Sequence, residues 1–170
     1  MQLLEGIFKR RSIRSFIKDK PVETEKIETL LKAAMSAPSA GNQQPWHFIV
    51  IDERKILDEI PEIHPYAGMS TSAPLAILVC GDVSLEKHKG FWVQDCAASI
   101  ENMLLATQEI DLEAVWCGIY PNESRAEAFK EKFNLPKSVY PLGLVVIGYS
   151  DKSGFKVDRY RKDRIHSNRW

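Results

Sequence analysis

The chain has 170 residues, 44% of them hydrophobic, and its 23 Lys and Arg residues balance its 23 Asp and Glu residues. This size and apolar content predict a single domain over residues 1–170, and the balanced charge argues against nucleic acid or an anionic membrane as a partner. Residues 1–10 lack the apolar stretch of a signal peptide, and no apolar run approaches the roughly 20 residues of a membrane span, so we expect a soluble cytoplasmic protein.

The N-terminal part of the chain predicts two helices separated by a basic segment. Apolar residues recur at helical spacing over residues 3–8, and this short amphipathic helix ends in the run Lys9-Arg10-Arg11, whose charge suits the negative end of a helix. A second helix runs from about Glu23 to Met35. It stops before a loop rich in Pro, Ser, Gly and Asn.

The middle of the chain predicts strands that alternate with helices. Four short runs of β-forming residues are Trp46–Ile51, Leu75–Cys80, Leu112–Cys117 and Leu142–Ile147. Because these runs are mostly continuous in apolar character, they are typical of strands covered on both faces. Phe91–Ile110 predicts a long helix that is apolar nearly all round, and Glu123–Phe133 predicts another. The predicted fold class is α+β, a mixed sheet flanked by helices.

The last segment, residues 150–170, is polar and basic but carries large apolar side chains. These are Phe155, Tyr160, Ile165 and the terminal Trp170. A solvated tail rarely ends in Trp, so we interpret the segment as an arm docked on a surface such as that of a partner subunit.

A basic cluster lies directly after the first predicted helix. Arg10, Arg11, Ser12 and Arg14 place three guanidinium groups and a hydroxyl within one short segment. If the backbone is extended there, Arg10, Ser12 and Arg14 point to the same side and can converge on one phosphate. The alternative is a solvated basic turn.

The loop from Ala37 to Trp46 (APSAGNQQPW) combines small residues with side-chain amides. Small residues let backbone approach a flat ligand, and amides pair with the donor and acceptor edge of a heterocycle. Either role requires a rigid loop. An ordinary helix-to-strand connection uses the same residue types and is the alternative.

A turn, Gly118 to Pro121, follows the third predicted strand. Ligand sites favour the carboxyl ends of strands, and Gly118 lets a backbone N–H approach a bound ring without obstruction. A plain strand-to-helix turn is the alternative.

Several other site types find no support in the sequence. It contains neither the G-x-G-x-x-G fingerprint nor a Walker-type loop, and its four histidines are scattered. The cysteines Cys80, Cys96 and Cys117 are odd in number, lack metal-type spacing and lie in apolar segments, which argues against disulfides and zinc.

In this order and spacing, five segments together resemble the short form of the FMN-dependent nitroreductases. They are RRSIRSF at Arg10–Phe16, APSAGNQQPWHFIVI at Ala37–Ile51, DCAASIENMLLAT at Asp95–Thr107, VWCGIYP at Val115–Pro121 and DRYRKDRIHSNRW at Asp158–Trp170. The resemblance covers nearly the whole chain. It implies a homodimer with exchanged C-terminal arms that holds FMN non-covalently between two identical subunits.

The resemblance also implies which residues contact the cofactor. The residues that contact the FMN phosphate and ribityl chain are Arg10, Arg11, Ser12 and Arg14, and the arm adds Arg159, with Lys156 and Arg161 as alternatives. The residues that reach the flavin of the opposite subunit are Pro38, Ser39, Ala40, Asn42 and Gln44. The residues that lie beside the isoalloxazine are Cys117, Gly118 and Ile119. Some longer relatives carry a glutamate directly before this glycine, where this chain has Cys117. The acceptor preference is therefore left open.

The implied activity is ping-pong transfer of reducing equivalents from NAD(P)H through FMN to a nitroaromatic, quinone or related small-molecule acceptor. Since flavin N5 carries the chemistry, no catalytic side chain is predicted. Two alternatives remain: another flavin reaction on the same scaffold, such as flavin reduction or reductive dehalogenation, and a non-catalytic dimer that stores FMN.

Overall fold

The computed structural model describes residues 3–170 and confirms the α+β class. The helices are α1 (Leu3–Lys9), α2 (Thr24–Met35), α3 (Arg54–Ile63), α4 (Trp92–Glu109) and α5 (Glu123–Lys132), and the strands are β1 (Trp46–Ile51), β2 (Leu75–Asp82), β3 (Glu113–Gly118) and β4 (Val139–Gly148). The helix α3 lies outside the elements that the sequence predicts. None of the helices formed by these residues has the length and apolar character needed to span a bilayer.

The strands form one four-stranded sheet in the order β1-β2-β4-β3. Each neighbouring pair within residues 3–170 is antiparallel, whereas the sequence analysis predicts a mixed sheet. The difference has a simple cause. Helices cover both faces of the sheet, so β2 and β4 are buried almost throughout, and an unbroken apolar run carries no information on strand direction.

Two hydrophobic cores lie on the two faces of the sheet. On one face, Leu57 and Ile60 of α3 and Phe129 of α5 pack against the sheet. On the other face, α2 and α4 contribute residues such as Leu30 and Met103. All five side chains are almost completely buried, and each contributes about 1.5–3 kcal/mol relative to an exposed position.

The start of β4 shows why the predicted boundary is three residues late. Pro141 lacks the N–H that a regular ladder requires, which hides the strand in the sequence. In the structure the register between β2 and β4 shifts beside it, between Val79 and Cys80. This irregularity accommodates the proline and lets the strand begin at Val139.

The C-terminal segment, residues 150–170, begins against α1, and its side chains are exposed from residue 155 onward. The Arg11 guanidinium lies 5.6 Å from the centroid of the Phe155 ring, and the Lys156 ammonium lies 5.5 Å from that of Phe8. Farther along, Tyr160 is 71% exposed and Trp170 is fully exposed. Docking on a partner therefore stays a prediction, and the single chain leaves these apolar groups free to do it.

Gly154 is the point where this segment meets the end of α1. A Cβ added there would overlap the carbonyl oxygen of Lys9, and backbone cannot yield as a side chain can. We expect Gly154→Ala to displace the segment from α1 and to lower the free energy of unfolding by about 1–3 kcal/mol, as overpacking does. Urea denaturation measures this.

The matched control is Gly68→Ala. An added Cβ at Gly68 meets nothing within 4 Å, so stability should change by less than about 0.5 kcal/mol. Equal stabilities for the two variants would contradict the packing of residue 154 against α1.

Candidate functional site

The basic segment that follows α1 lies along the free edge of the sheet. The backbone N–H of Ile13 donates to the carbonyl of Ala114 at 3.1 Å, so the segment pairs with β3, an outer strand. Ile119 N donates to Leu142 O, which makes the odd-numbered residues of β3 the ones that bond to β4. In an antiparallel ladder the even-numbered residues then direct their backbone groups outward.

Gly118, the last residue of β3, therefore presents its peptide groups at this edge. Its carbonyl accepts hydrogen bonds from His64 Nε2 at 3.0 Å and from Arg125 Nη1 at 2.8 Å. An added Cβ at Gly118 would meet nothing within 4 Å, so its outer side is open. This is the geometry that the sequence analysis predicts for a backbone approaching a flat ligand.

The residues beside Gly118 point into the protein instead. Cys117 is 6% exposed and Ile119 is 1% exposed, and both pack in the core on the α3 and α5 face. Burial raises the pKa of the Cys117 thiol, which keeps it protonated. Ile119 could contact a cofactor only through its backbone, whereas Cys117 still lines the cavity that contains Gly118.

A cluster of cations surrounds Arg11. Burial and the nearby charges of Arg159 and Arg10 lower the pKa of the Arg11 guanidinium. Its terminal nitrogens donate to the carbonyls of Arg10 and Phe8, while its buried Nε has no hydrogen-bond partner. Like charges held together with a spare donor are the features of an anion site.

The acidic side chains near this cluster do little to neutralise it. Within residues 3–170, Glu101 is the only carboxylate within 4 Å of these guanidinium groups, at 3.5 Å from Arg10 Nε. Arg10, Arg11, Arg159 and Lys156 line one cavity of about 760 Å³, and Asp158 is the one acidic residue in its lining, so cations outnumber it there. The predicted arm residue Arg159 thus lies with the N-terminal arginines, and Lys156 lies beside it.

Arg14 lies elsewhere, which differs from the expected convergence with Arg10. Arg14 lines a second cavity with Cys117 and Gly118, and Ser12 is exposed between the two cavities along the chain. The reason is local. Arg10 still donates its N–H to Gly6 O in helical fashion, so alternation in an extended segment does not apply to it. Arg161, the other arm alternative, is exposed.

The loop after α2 is held rigidly, as either of its proposed roles requires. The buried carboxylate of Asp95 accepts from Ala40 N at 3.0 Å and from Gln43 Nε2 at 2.6 Å. Gln43 Oε1 in turn accepts from the backbone N–H groups of Lys87 and His88. One polar network therefore joins the loop, α4 and the segment that precedes α4.

Within this loop the predicted contact residues remain accessible. Ser39 Oγ accepts from Gln44 N at 3.0 Å, and Gln44 Nε2 donates to Asn42 Oδ1 at 2.9 Å. Pro38, Asn42 and Gln44 are exposed, and Ser39 and Ala40 are partly exposed. The loop presents these groups outward while Gln43 anchors it inward.

Asp95 and Gln43 were not among the predicted site residues, although they position the loop. Both are buried, at 5% and 6% exposure. A signal for Asp95 was present in the sequence, since it is a carboxylate in a helix that is otherwise apolar nearly all round. A buried carboxylate must find donors, and the neighbouring loop supplies them.

One chain does not bring the loop to the basic segment. The loop leads into β1 and the basic segment pairs with β3, and these are the two outer strands of the sheet. Three strand spacings separate them, roughly 14 Å. The loop and the basic segment therefore lie at opposite edges of the sheet of one chain.

Known proteins are similar to this chain in sequence and in fold. The model of the nitroreductase family matches residues 7–73 and 64–149. A protein of Methanothermobacter thermautotrophicus named "Putative NADH dehydrogenase/NAD(P)H nitroreductase" is 46% identical over 170 residues, which is 100% of this chain and 88% of that protein. The FMN reductase [NAD(P)H] of Bacillus subtilis is 27% identical over 97% of this chain and 72% of its own length.

A solved structure agrees with these relatives. The FMN-dependent nitroreductase of Clostridium difficile superposes with a TM-score of 0.89 and 26% identity, over 98% of this chain and 99% of that one. The family match covers most of the chain, and a relative above 30% identity spans all of it. The chain belongs to the nitroreductase family.

Proposed function

We propose that this protein is an FMN-dependent oxidoreductase that passes reducing equivalents from NAD(P)H to a small-molecule acceptor. The observation that carries the proposal is the poorly neutralised cation cluster of Arg10, Arg11 and Arg159 close to an outward-facing strand edge. Family membership supports it. Relatives carry names that include NAD(P)H nitroreductase, FMN reductase and FMN-dependent nitroreductase.

The residues present fit a phosphorylated flavin. Fork-shaped guanidinium donors suit a phosphate dianion, and the orphaned Arg11 Nε supplies a further donor. The residues proposed to hold FMN are Arg10, Arg11, Ser12, Arg14 and Arg159 for the phosphate and ribityl chain, Gly118 with the backbone of Cys117 and Ile119 beside the ring, and Pro38, Ser39, Ala40, Asn42 and Gln44 from the partner's loop.

When bound, FMN would supply the redox chemistry, by accepting a hydride at N5 and passing it on. The chain's own residues bind and orient. Arginines near the flavin would favour its negatively charged reduced form, and the open side of Gly118 leaves room for the ring beside the backbone of β3. We expect donor and acceptor to use the bound flavin in turn, in ping-pong order. No acidic or basic side chain is assigned a catalytic role.

We further propose that the chain works as one domain in a homodimer with exchanged arms. Exposed apolar residues cluster on α1 and the arm, including Leu3 at 72% and Phe155 at 67% exposure. Covering them and joining a second loop to the basic segment both require another copy. Deleting residues 158–170 should therefore shift sedimentation from dimer toward monomer, and an unchanged profile would contradict the arm's role.

The test of the function is a colour change. The purified protein should be yellow, bleach anaerobically on addition of NADH or NADPH, and recolour on addition of a nitroaromatic or a quinone. Protein that stays yellow would support FMN storage instead. A colourless protein that takes up no FMN would overturn both.

Free FMN is included among the tested acceptors, because a Bacillus subtilis relative is named FMN reductase [NAD(P)H]. Comparing kcat/KM for free FMN, a quinone and a nitroaromatic assigns the acceptor. A value for free FMN far above the others would favour flavin reduction on this scaffold.

A further inference from the structure

The cavity beside Gly118 has features that flavin binding does not explain. It measures about 310 Å³ and is lined by Arg14, His64, Tyr66, Trp116, Gly118 and Arg125. Arg14 and Gly118 are proposed to contact FMN. The other side of the cavity, formed by His64, Tyr66 and Arg125, belongs to no proposed cofactor contact.

Both arginines of this cavity keep most of their donors unused. Arg125 donates one N–H to Gly118 O, and Arg14 makes one long hydrogen bond of 3.4 Å to Ser12 O. Within residues 3–170, neither guanidinium has a carboxylate within 4 Å. Since a guanidinium carries five N–H donors and a full charge, both need further acceptors. Those for Arg14 are assigned to FMN, so Arg125 is the residue left with donors for another ligand.

Their positive potential acts on the same cavity wall. Burial raises the pKa of the Cys117 thiol, while Arg14 and Arg125 both act to lower it. His64 adds no charge, because burial and the charge of Arg125 lower its pKa. With Nε2 donating to Gly118 O, the unpartnered Nδ1 of His64 is an acceptor, so the positive charge here belongs to the arginines.

An aromatic surface borders this charge. The Arg125 guanidinium lies 5.7 Å from the centroid of the Tyr66 ring, which is 75% exposed. The ring attracts the guanidinium as a cation–π partner, and most of the ring surface is open to another aromatic group. Charge and ring together match a ligand that is both aromatic and anionic.

We propose that this cavity binds the carboxylate of a small aromatic acceptor, with Arg125 as the residue that selects for the negative charge. The proposal rests on the proposed function, because it places the acceptor next to the flavin contacts Arg14 and Gly118. The site is expected to distinguish ligands by charge as well as by shape. A neutral aromatic of the same shape can use the Tyr66 surface but leaves the Arg125 charge unpaired.

The test compares benzoate with benzyl alcohol as ligands, and 4-nitrobenzoate with 4-nitrobenzyl alcohol as acceptors. For Arg125→Gln we expect roughly a tenfold or greater rise in the Kd of benzoate, measured by calorimetry on the FMN-loaded protein, and a similar rise in KM for 4-nitrobenzoate. The two alcohols should change by less than about twofold. Arg125→Lys should recover part of the benzoate affinity.

The matched control is Lys55→Gln, which removes a positive charge on α3 that does not line the cavity. It should leave all four values unchanged. Unchanged benzoate affinity in Arg125→Gln, or an equal loss for benzoate and benzyl alcohol, would overturn the proposal. FMN content and bleaching by NAD(P)H are measured in the same samples, so failure of the proposed function is seen separately.

Discussion

Replacing Arg14 with alanine is expected to weaken FMN binding by roughly 10- to 100-fold, the size of one or two lost charge-assisted hydrogen bonds. Folding should be nearly unaffected. The Arg14 side chain is exposed, and its hydrogen bond to Ser12 O is long at 3.4 Å, so it contributes little to the stability of its own chain. Fluorescence titration of the apoprotein with FMN gives the Kd, and urea denaturation gives the stability.

Lys18→Ala provides the matched control for Arg14→Ala. Lys18 is also an exposed cation a few residues along the same N-terminal segment, but it does not line the cavity that contains Gly118. Its loss should leave FMN affinity within about twofold, since only a general charge effect remains. Equal FMN affinities in wild type and Arg14→Ala would count against the cofactor site.

The second large effect is expected at Asp95, where alanine should lower the free energy of unfolding by about 2–5 kcal/mol. The change removes the acceptor of two hydrogen bonds, from Ala40 N and Gln43 Nε2, and leaves both donors without partners. Because the carboxylate is buried, water replaces those bonds poorly. Urea denaturation measures the loss.

The loop should also lose its fixed position in this variant. Gln43 then has only the backbone N–H groups of Lys87 and His88 to anchor it. Since Asn42 and Gln44 flank it, FMN retention should fall together with stability. A stable Asp95→Ala protein that binds FMN normally would refute the positioning role.

Two further variants separate the hydrogen bonds from the charge of Asp95. Asp95→Asn keeps one acceptor oxygen but sets its amide N–H₂ against that of Gln43, so we expect an intermediate loss of stability. Gln94→Ala, at the exposed neighbouring position on α4, should change stability by less than about 0.5 kcal/mol.

Local patterns of the sequence were enough for much of the fold. The apolar spacing of residues 24–35 is the spacing of a helix, and the run WHFIVI predicts the bounds of β1 as observed. Such elements follow from the period of side chains along one stretch of chain. The antiparallel direction of the strands, by contrast, has no counterpart in that period, since helices bury both faces of the sheet.

Some features of the candidate site also follow from the sequence, whereas others depend on how the chain packs. The sequence placed an open glycine at the end of a strand and a basic segment after α1, and both occur in the structure. It did not show that Arg10 and Arg14 line different cavities. That depends on where the helical hydrogen bonding of α1 stops, which is a matter of packing rather than of residue type.

The sequence by itself determined the family, the fold class and the residue types from which a flavin site could be built. Only the tertiary structure decided which distant groups meet. Gln43 and Asp95 are 52 positions apart, and His64 and Arg125 converge on Gly118 from two different helical segments. The physical reason is that such contacts form when whole elements pack on the sheet, and packing depends on many residues at once rather than on any one local pattern.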